Sequence, residues 1–438
     1  MSTSSFLQDR VRSLASLSPY RRLGRVQRVR GLVIEAQGPQ VTIGELCTVA
    51  AGSQPCLAEV VGFNGHVTLL MALEDIHGLG PGAEVRSLGR PLSVGVSRGL
   101  MGRVINGLGE PLDGGGPIIA SEYRPLQAGA PHPLRRRRIT QPLSVGVRAV
   151  DGLLTLGEGQ RVGIFSGSGI GKSVLLGMMA KYTEADVTVI GLIGERGREV
   201  RDFIEKYLGP QGLPKAVVVV ETSDRWPLLR IKGIMTATTI AEYFRDQGLR
   251  VLLLMDSITR VCHALREVGL SLGEPPATRG YPPSVFTTLP KLFERAGNAD
   301  TGSITALYTV LVEGDDQTEP VADTVRSILD GHLLLTRKIA ARHHYPALDV
   351  LGSISRVMPD VVDAAHYNQA AQIKGWLAAY AEAEDLISVG AYAKGTRPAV
   401  DTAVEKLPAI NEFLRQGLDE TSSFAETRRR LQEVTAQA

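Results

Sequence analysis

The chain has 438 residues, too many for one ordinary core, so two or three domains are expected. Hydrophobic residues at 43% and charged residues at 21% exclude a disordered or fibrous chain, and a formal net charge of +2 gives no reason to expect nucleic acid or an anionic membrane as the main partner. Cys47, Cys56 and Cys262 are too few and too scattered for a disulfide framework or a metal cluster, so a reducing, cytoplasmic compartment is expected. No window reaches the roughly 18 consecutive apolar residues of a membrane span, and residues 1–6 lack the apolar core of a signal peptide.

Residues 5–17 place Leu7, Val11 and Leu14 at helical spacing, with Ser18-Pro19 as a stop. This short amphipathic helix either docks on the rest of the chain or serves as a handle for a partner. Residues 1–30 carry seven arginines against the single acid Asp9, and residues 135–138 are an unbroken arginine run, expected as a solvated linker or an interface edge. Between about residues 20 and 92 the texture changes to short strands broken by glycine, at 26–34, 41–49, 57–62 and 66–71, which indicates a small β-barrel. From about residue 145 to residue 340, apolar strands at 162–165, 187–193, 216–220, 251–255, 304–312 and 333–335 alternate with helices. Such continuous apolar runs mark a mainly parallel sheet covered on both faces, hence an α/β nucleotide-binding fold. Beyond about residue 360 the chain turns helical and alanine-rich, as at 370–384 and 408–415, and a helical bundle is expected.

Directly after the apolar run 161–165 come Ser166, Gly167, Ser168, Gly169, Ile170, Gly171, Lys172 and Ser173, followed by Val174 and two leucines that open a helix. Three glycines let the backbone turn tightly and aim N–H groups at a phosphate, the helix presents its positive end, Lys172 adds a full charge and the Ser173 hydroxyl is placed to ligate Mg²⁺. The phosphate-loop pattern asks for glycine at the first position, and this chain has Ser166. The context on both sides points to a nucleoside triphosphate.

The run 251–255 ends in Asp256, an acid at the tip of a buried strand, where a second support for Mg²⁺ is usual; a helix N-cap is the alternative. The run 187–193 leads into Gly194, Glu195, Arg196, Gly197, Arg198 and Glu199. A carboxylate there could polarise an attacking water, which makes Glu195 the candidate base; on spacing alone a charged surface loop accounts for these residues equally well.

Taken together, the segments 194–199, 251–260, 273–286, 308–316 and 353–356 resemble the type III secretion ATPases, relatives of the catalytic subunit of rotary F-type ATP synthases. The resemblance covers nearly the whole chain, and the segments 167–173 and 387–392 are more similar to the flagellar export form than to the virulence injectisome form. It implies an N-terminal helix over 1–18, a β-barrel over 19–95, a RecA-like ATPase domain over 96–358 and a helical domain over 359–438. It further implies that Lys172 and Ser173 hold phosphate and Mg²⁺, that Asp256 supports the metal and that Glu195 activates water. Arg196 and Arg260 then line the phosphate site, Arg356 is an arginine finger reaching the ATP of a neighbouring subunit, and Tyr345 and Tyr392 sandwich adenine.

The partners implied are further copies in a homohexamer, a regulator at the N-terminal helix, export-gate and stalk components, and export substrates with their chaperones. Peripheral membrane association at the base of the flagellar export apparatus is implied as well. Two alternatives share the fold: a virulence-secretion ATPase and a non-catalytic nucleotide-binding ring subunit. An RNA-translocating hexamer would be expected to carry stacking aromatics on its barrel, where Phe63 is the clearest one here, so no specific nucleic acid is expected.

Overall fold

Alternation of apolar and polar residues shapes the first of two compact units, Met1–Leu92 and Ser93–Ala438. The computed structural model describes residues 23–52, 54–312 and 319–436; the helix expected within 5–17 and the acidic end of the 308–316 segment lie outside them. Strands Leu23–Arg30, Val33–Gln37, Val67–Ala72, Gln54–Asn64, Glu45–Ala51 and Glu84–Pro91 close in that order into an antiparallel barrel. Its interior is filled by Val26, Ile34, Ala36, Val49, Val60, Leu70 and Val85. The single strand expected over 26–34 is a hairpin that turns at Gly31, whose φ is +52°. The strand that closes the barrel, Glu84–Pro91, pairs on both sides and is an addition to the sequence reading.

In the second unit the apolar runs form a sheet that has nine strands among the described residues. Its main path runs Leu348–Ser355, Gly331–Leu335, Arg161–Ser166, Ser303–Leu311, Arg250–Asp256, Val187–Ile193, Ala216–Glu221 and Val104–Asn106, and the short Gly297–Asn298 pairs with Ser303–Leu311. All neighbours on the path are parallel except the edge strand Leu348–Ser355. The chain leaves Arg161–Ser166 and re-enters three positions away at Val187–Ile193, a change of winding direction that opens a crevice at the carboxyl ends of the strands.

One core joins the sheet, the helix Lys172–Tyr182 and the C-terminal helices Ala364–Ser388, Pro398–Leu414 and Phe424–Ala436. Val162, Ile164, Leu192 and Leu254 from strands share it with Leu175, Met179, Ile373, Phe413 and Leu431. The edge strand bulges away from its partner between the pairs His332↔Ile354 and Leu334↔Asp349. Asp349 Oδ1 closes this bulge by accepting the N–H groups of Leu351 at 3.1 Å and Gly352 at 3.0 Å.

Three of the four residues of the arginine run are exposed and Arg136 is half-buried. Arg136 donates to Ala296 O at 2.8 Å and Arg137 donates to Gly302 O at 2.9 Å, so two of its members clamp the turn before Ser303–Leu311. Nearby, the buried Arg295 donates to both oxygens of Glu242 at 2.8 and 2.7 Å, to Thr239 Oγ1 at 2.9 Å and to Leu126 O at 2.8 Å. This pair ties helix Pro227–Asp246 to the sheet. Glu242→Ala leaves a buried guanidinium uncompensated, so stability is expected to fall by about 3–5 kcal/mol. Urea unfolding followed by circular dichroism measures this, and an unchanged midpoint would contradict the structural role.

Candidate active site

The loop between Ser166 and Lys172 takes its shape from two left-handed glycines, Gly169 at φ +77° and Gly171 at φ +95°. Ile170 is buried in the core and anchors the loop, while Ser168 and Gly169 are exposed. Helix Lys172–Tyr182 starts at Gly171 with no side-chain cap and no acid in its first turn, so its first N–H groups are free for an anion. Ser173 and Val174 are half-buried in that turn. Ser166 is buried, and its hydroxyl has no partner among the described residues.

Lys172 meets two carboxylates from two other strands. Its Nζ is paired with Asp256 Oδ1 and lies 3.5 Å from Glu195 Oε1. Asp256 ends the strand Arg250–Asp256, and Thr309 of the intervening strand donates its hydroxyl to Asp256 Oδ1 at 2.8 Å. The peptide bond between Asp256 and Ser257 is cis, and Ser257 then caps helix Ile258–Ser271.

Glu195 follows Val187–Ile193 by way of Gly194, whose φ is +76°. A side chain at Gly194 would stand 2.6 Å from Arg260 Cβ, so the loop lies directly on the Arg260 stem. Glu195 Oε1 and Arg260 Nε are buried without hydrogen-bond partners among the described residues.

These surroundings set the charges. Burial, reinforced by the Asp256 carboxylate and opposed by Lys172, pushes the Glu195 carboxyl up to about 7. A hydrogen bond with Glu195 holds Glu199 below its usual range, so the proton they compete for stays on Glu195. Burial opposes the charge on Lys172, but the Asp256 and Glu195 carboxylates outweigh it and hold its pKa above the ordinary lysine value.

The remaining candidates lie further out. Tyr345 is 43% exposed and stands against the loop: a Cβ at Gly171 would touch its ring at 3.5 Å. Arg196 points outward, with its side chain 79% exposed and 3.9 Å from Glu199. Arg356 is exposed and follows Ser355, which pairs with Gly331, four residues before Leu335 beside Ser166. Arg356 therefore sits about 13 Å below the loop, at the opposite end of the sheet. Tyr392 belongs to the connection between two C-terminal helices, where its hydroxyl bonds Arg397 O at 3.1 Å and Asp401 Oδ1 at 3.0 Å. The aromatic ring held against the loop is Tyr345.

Sequence reasoning did not single out Thr309, a polar residue in an otherwise apolar buried strand, nor Gln416, whose N–H holds Tyr345 O at 2.9 Å. The first carries a compositional signal. The second carries none, because the contact spans distant parts of the chain.

The residue set fits a triphosphate with a divalent cation. The helix N–H groups are uncapped and Lys172 adds a full positive charge for an anion, while the Asp256 carboxylate and the Ser173 hydroxyl supply oxygen donors for a cation. Among the described residues no cluster of three or more His, Cys, Asp or Glu converges as an all-protein metal cage. One hydroxyl and one carboxylate beside phosphates are the usual protein share for Mg²⁺.

Comparison with known proteins agrees with this geometry. Residues 146–355 match the nucleotide-binding domain of the ATP synthase alpha/beta family, residues 26–89 its beta-barrel domain, and residues 362–433 the T3SS EscN ATPase C-terminal domain. The flagellum-specific ATP synthase of Pseudomonas aeruginosa is 51% identical over 419 residues, covering 94% of this chain and 93% of the relative. The type 3 secretion system ATPase of Xanthomonas euvesicatoria is 52% identical over 429 residues, covering 98% and 97%. The chain belongs to the flagellar and type III secretion ATPase family. A solved family structure, the assembled ATPase EscN of the enteropathogenic E. coli type III secretion system, superposes with a TM-score of 0.89 at 46% identity, covering 94% of this chain and 99% of that chain. EscN in complex with its central stalk EscO gives 0.87 at the same coverage. The family thus accounts for the barrel, the sheet and the helical end together.

Gly194→Ala adds a left-handed non-glycine residue, costing about 1–2 kcal/mol, and drives a methyl into Arg260. The expected outcome is a lower melting temperature and loss of turnover together. Wild-type melting and activity would show that the Glu195 loop does not depend on this close approach.

Proposed function

We propose that this chain is a Mg²⁺-dependent ATPase of the flagellar type III protein export apparatus. It works as a ring of identical subunits, a homohexamer, and couples hydrolysis to unloading and export of flagellar proteins. The observation that carries the catalytic reading is the buried Glu195 carboxyl, paired at 3.5 Å with Lys172 and set beside Asp256 at the carboxyl edge of the sheet.

Lys172 and the first N–H groups of its helix bind the outer phosphates; Ser173 and Asp256 would hold Mg²⁺, which when bound neutralises phosphate charge. Tyr345 orients the base. Glu195 accepts the proton of a water as the water oxygen bonds to the γ-phosphorus and the bond to the β-phosphate oxygen breaks, releasing ADP and phosphate. Arg260 supports the Glu195 loop from beneath. Arg196, exposed beside it, lies toward the subunit boundary in this reading.

Arg356 lies at the other end of the sheet from the site of its own chain, so the charge it brings to a transition state belongs to the site of a neighbour, which supports a ring. A stalk partner and a peripheral position at the export gate, with a regulator at the N-terminal helix and substrates and chaperones at the helical end, follow from the same family reading. The relatives carry flagellar and type 3 secretion system names at 51% and 52% identity, and the flagellar choice rests on the segments 167–173 and 387–392. Deletion of the gene should abolish swimming and flagellin export; a strain that swims normally and loses only effector secretion would assign the virulence system instead.

Glu195→Gln should retain ATP binding and lose turnover by at least about 100-fold, and wild-type turnover would indicate a different base. A non-catalytic ring subunit is ruled out if the parent protein turns over ATP. Because Glu195 acts only when ionised and its pKa is raised to about 7, turnover should climb as pH rises through that value and be lost below it. A rate independent of pH between about 6 and about 8 contradicts the assignment. Mixing Arg356→Ala with Glu195→Gln protein should restore activity at interfaces that carry one intact copy of each residue. Absence of rescue at every mixing ratio would argue that Arg356 does not act in trans.

A further inference from the structure

Residues 415–420, just after helix Pro398–Leu414, are clasped from three sides. Gln416 is 5% exposed and its amide is fully engaged: Oε1 accepts the Arg148 N–H at 2.8 Å, and Nε2 donates to Gly146 O at 2.7 Å and Glu420 O at 2.8 Å. Its backbone N–H donates to Tyr345 O at 2.9 Å. The Arg148 guanidinium, also buried, donates to Phe413 O at 2.9 Å and pairs with the Arg415 carbonyl and the Glu420 carboxylate. On the far side, the Tyr182 hydroxyl donates to Leu418 O at 3.2 Å and Lys181 Nζ lies 3.0 Å from Asp419, both from the helix that begins at Lys172.

This amide is not needed to end the helix, because Arg415 N–H already closes the last turn on Asn411 O. A buried side-chain amide with every bond made fixes the backbone that carries it. The backbone so fixed is the one that holds Tyr345.

We propose that Gln416 is a positioning residue for the base side of the nucleotide site, setting the distance between the Tyr345 ring and Gly171 and tying that wall to the C-terminal helices. The proposal rests on the reading that Tyr345 faces the base. Gln416 has no hydrogen bond to Lys172, Glu195 or Asp256, so its direct action falls on the Tyr345 wall and not on those charged groups.

The test compares MgATP with Mg-tripolyphosphate, which has the phosphates and no base, as ligands of the full chain. Gln416→Met keeps the length of the side chain and removes its polar atoms; Gln416→Glu keeps the acceptor for Arg148 N–H and removes both donors. Both should bind ATP about tenfold more weakly, bind tripolyphosphate as the parent does, and show a raised KM with kcat little changed. Unchanged tripolyphosphate binding also reports a folded phosphate loop, and Gln416→Glu decides if Gln416→Met does not fold.

Equal loss of both ligands, or loss of neither, overturns the proposal. Tyr345→Ala run alongside separates two failures. If it too leaves the ATP-to-tripolyphosphate ratio unchanged, the reading of Tyr345 falls and the proposal with it. If the ratio drops in Tyr345→Ala but not in the Gln416 variants, the proposal alone is overturned.

Discussion

Keeping one buried lysine charged is the constraint on which the rest of the site depends. An ammonium withdrawn from water is costly unless anions meet it, and Lys172 meets Asp256 and Glu195. These come from the ends of two different strands, so the order of the sheet, with Ser303–Leu311 between the phosphate loop and Asp256, is what lets the three groups converge. Thr309 then occupies one lone pair of Asp256 and orients it. Gly194 bends the chain so that Glu195 turns inward. Burial at this convergence, reinforced by the Asp256 carboxylate and opposed by Lys172, raises the Glu195 pKa.

The legible parts of the sequence were those whose signal is local. Continuous apolar runs specify buried parallel strands, and the phosphate loop, with Asp256 at a strand tip, follows from neighbours within a few residues. Among the alternating charges of residues 194–199, spacing alone does not separate inward from outward side chains. The positive φ of Gly194 and the Arg260 stem beneath it decide that Glu195 lies inside and Arg196 outside. The closing barrel strand Glu84–Pro91 was missed because its serine, glycine, proline and arginines read as a loop until two partners pair with it. Helix Pro398–Leu414 begins ten residues before its expected start because its interior Pro408 reads as a helix beginning. Contacts such as Gln416 with Tyr345 have no local signal at all.

The two ends of the sheet carry different duties. At the carboxyl ends of the parallel strands lie the glycine loop with Lys172, Asp256 and Glu195. At the other end, Arg356 is reached by the one antiparallel strand of the main path, which returns the chain to the opposite edge. The glycine loop and Arg356 therefore lie at opposite ends of one rigid element, and the helical core shared with the sheet keeps their separation constant.

The bulge in Leu348–Ser355 adds a further consequence. An open sheet edge ordinarily invites another strand to add to it, and the edge bearing Leu351 and Ile354, each 45% exposed, would be a sticky one. Asp349 occupies backbone donors there and the bulge breaks the register, so a neighbouring chain can meet this edge only through side chains. Contacts of that kind can be made and released repeatedly without fusing two sheets into one.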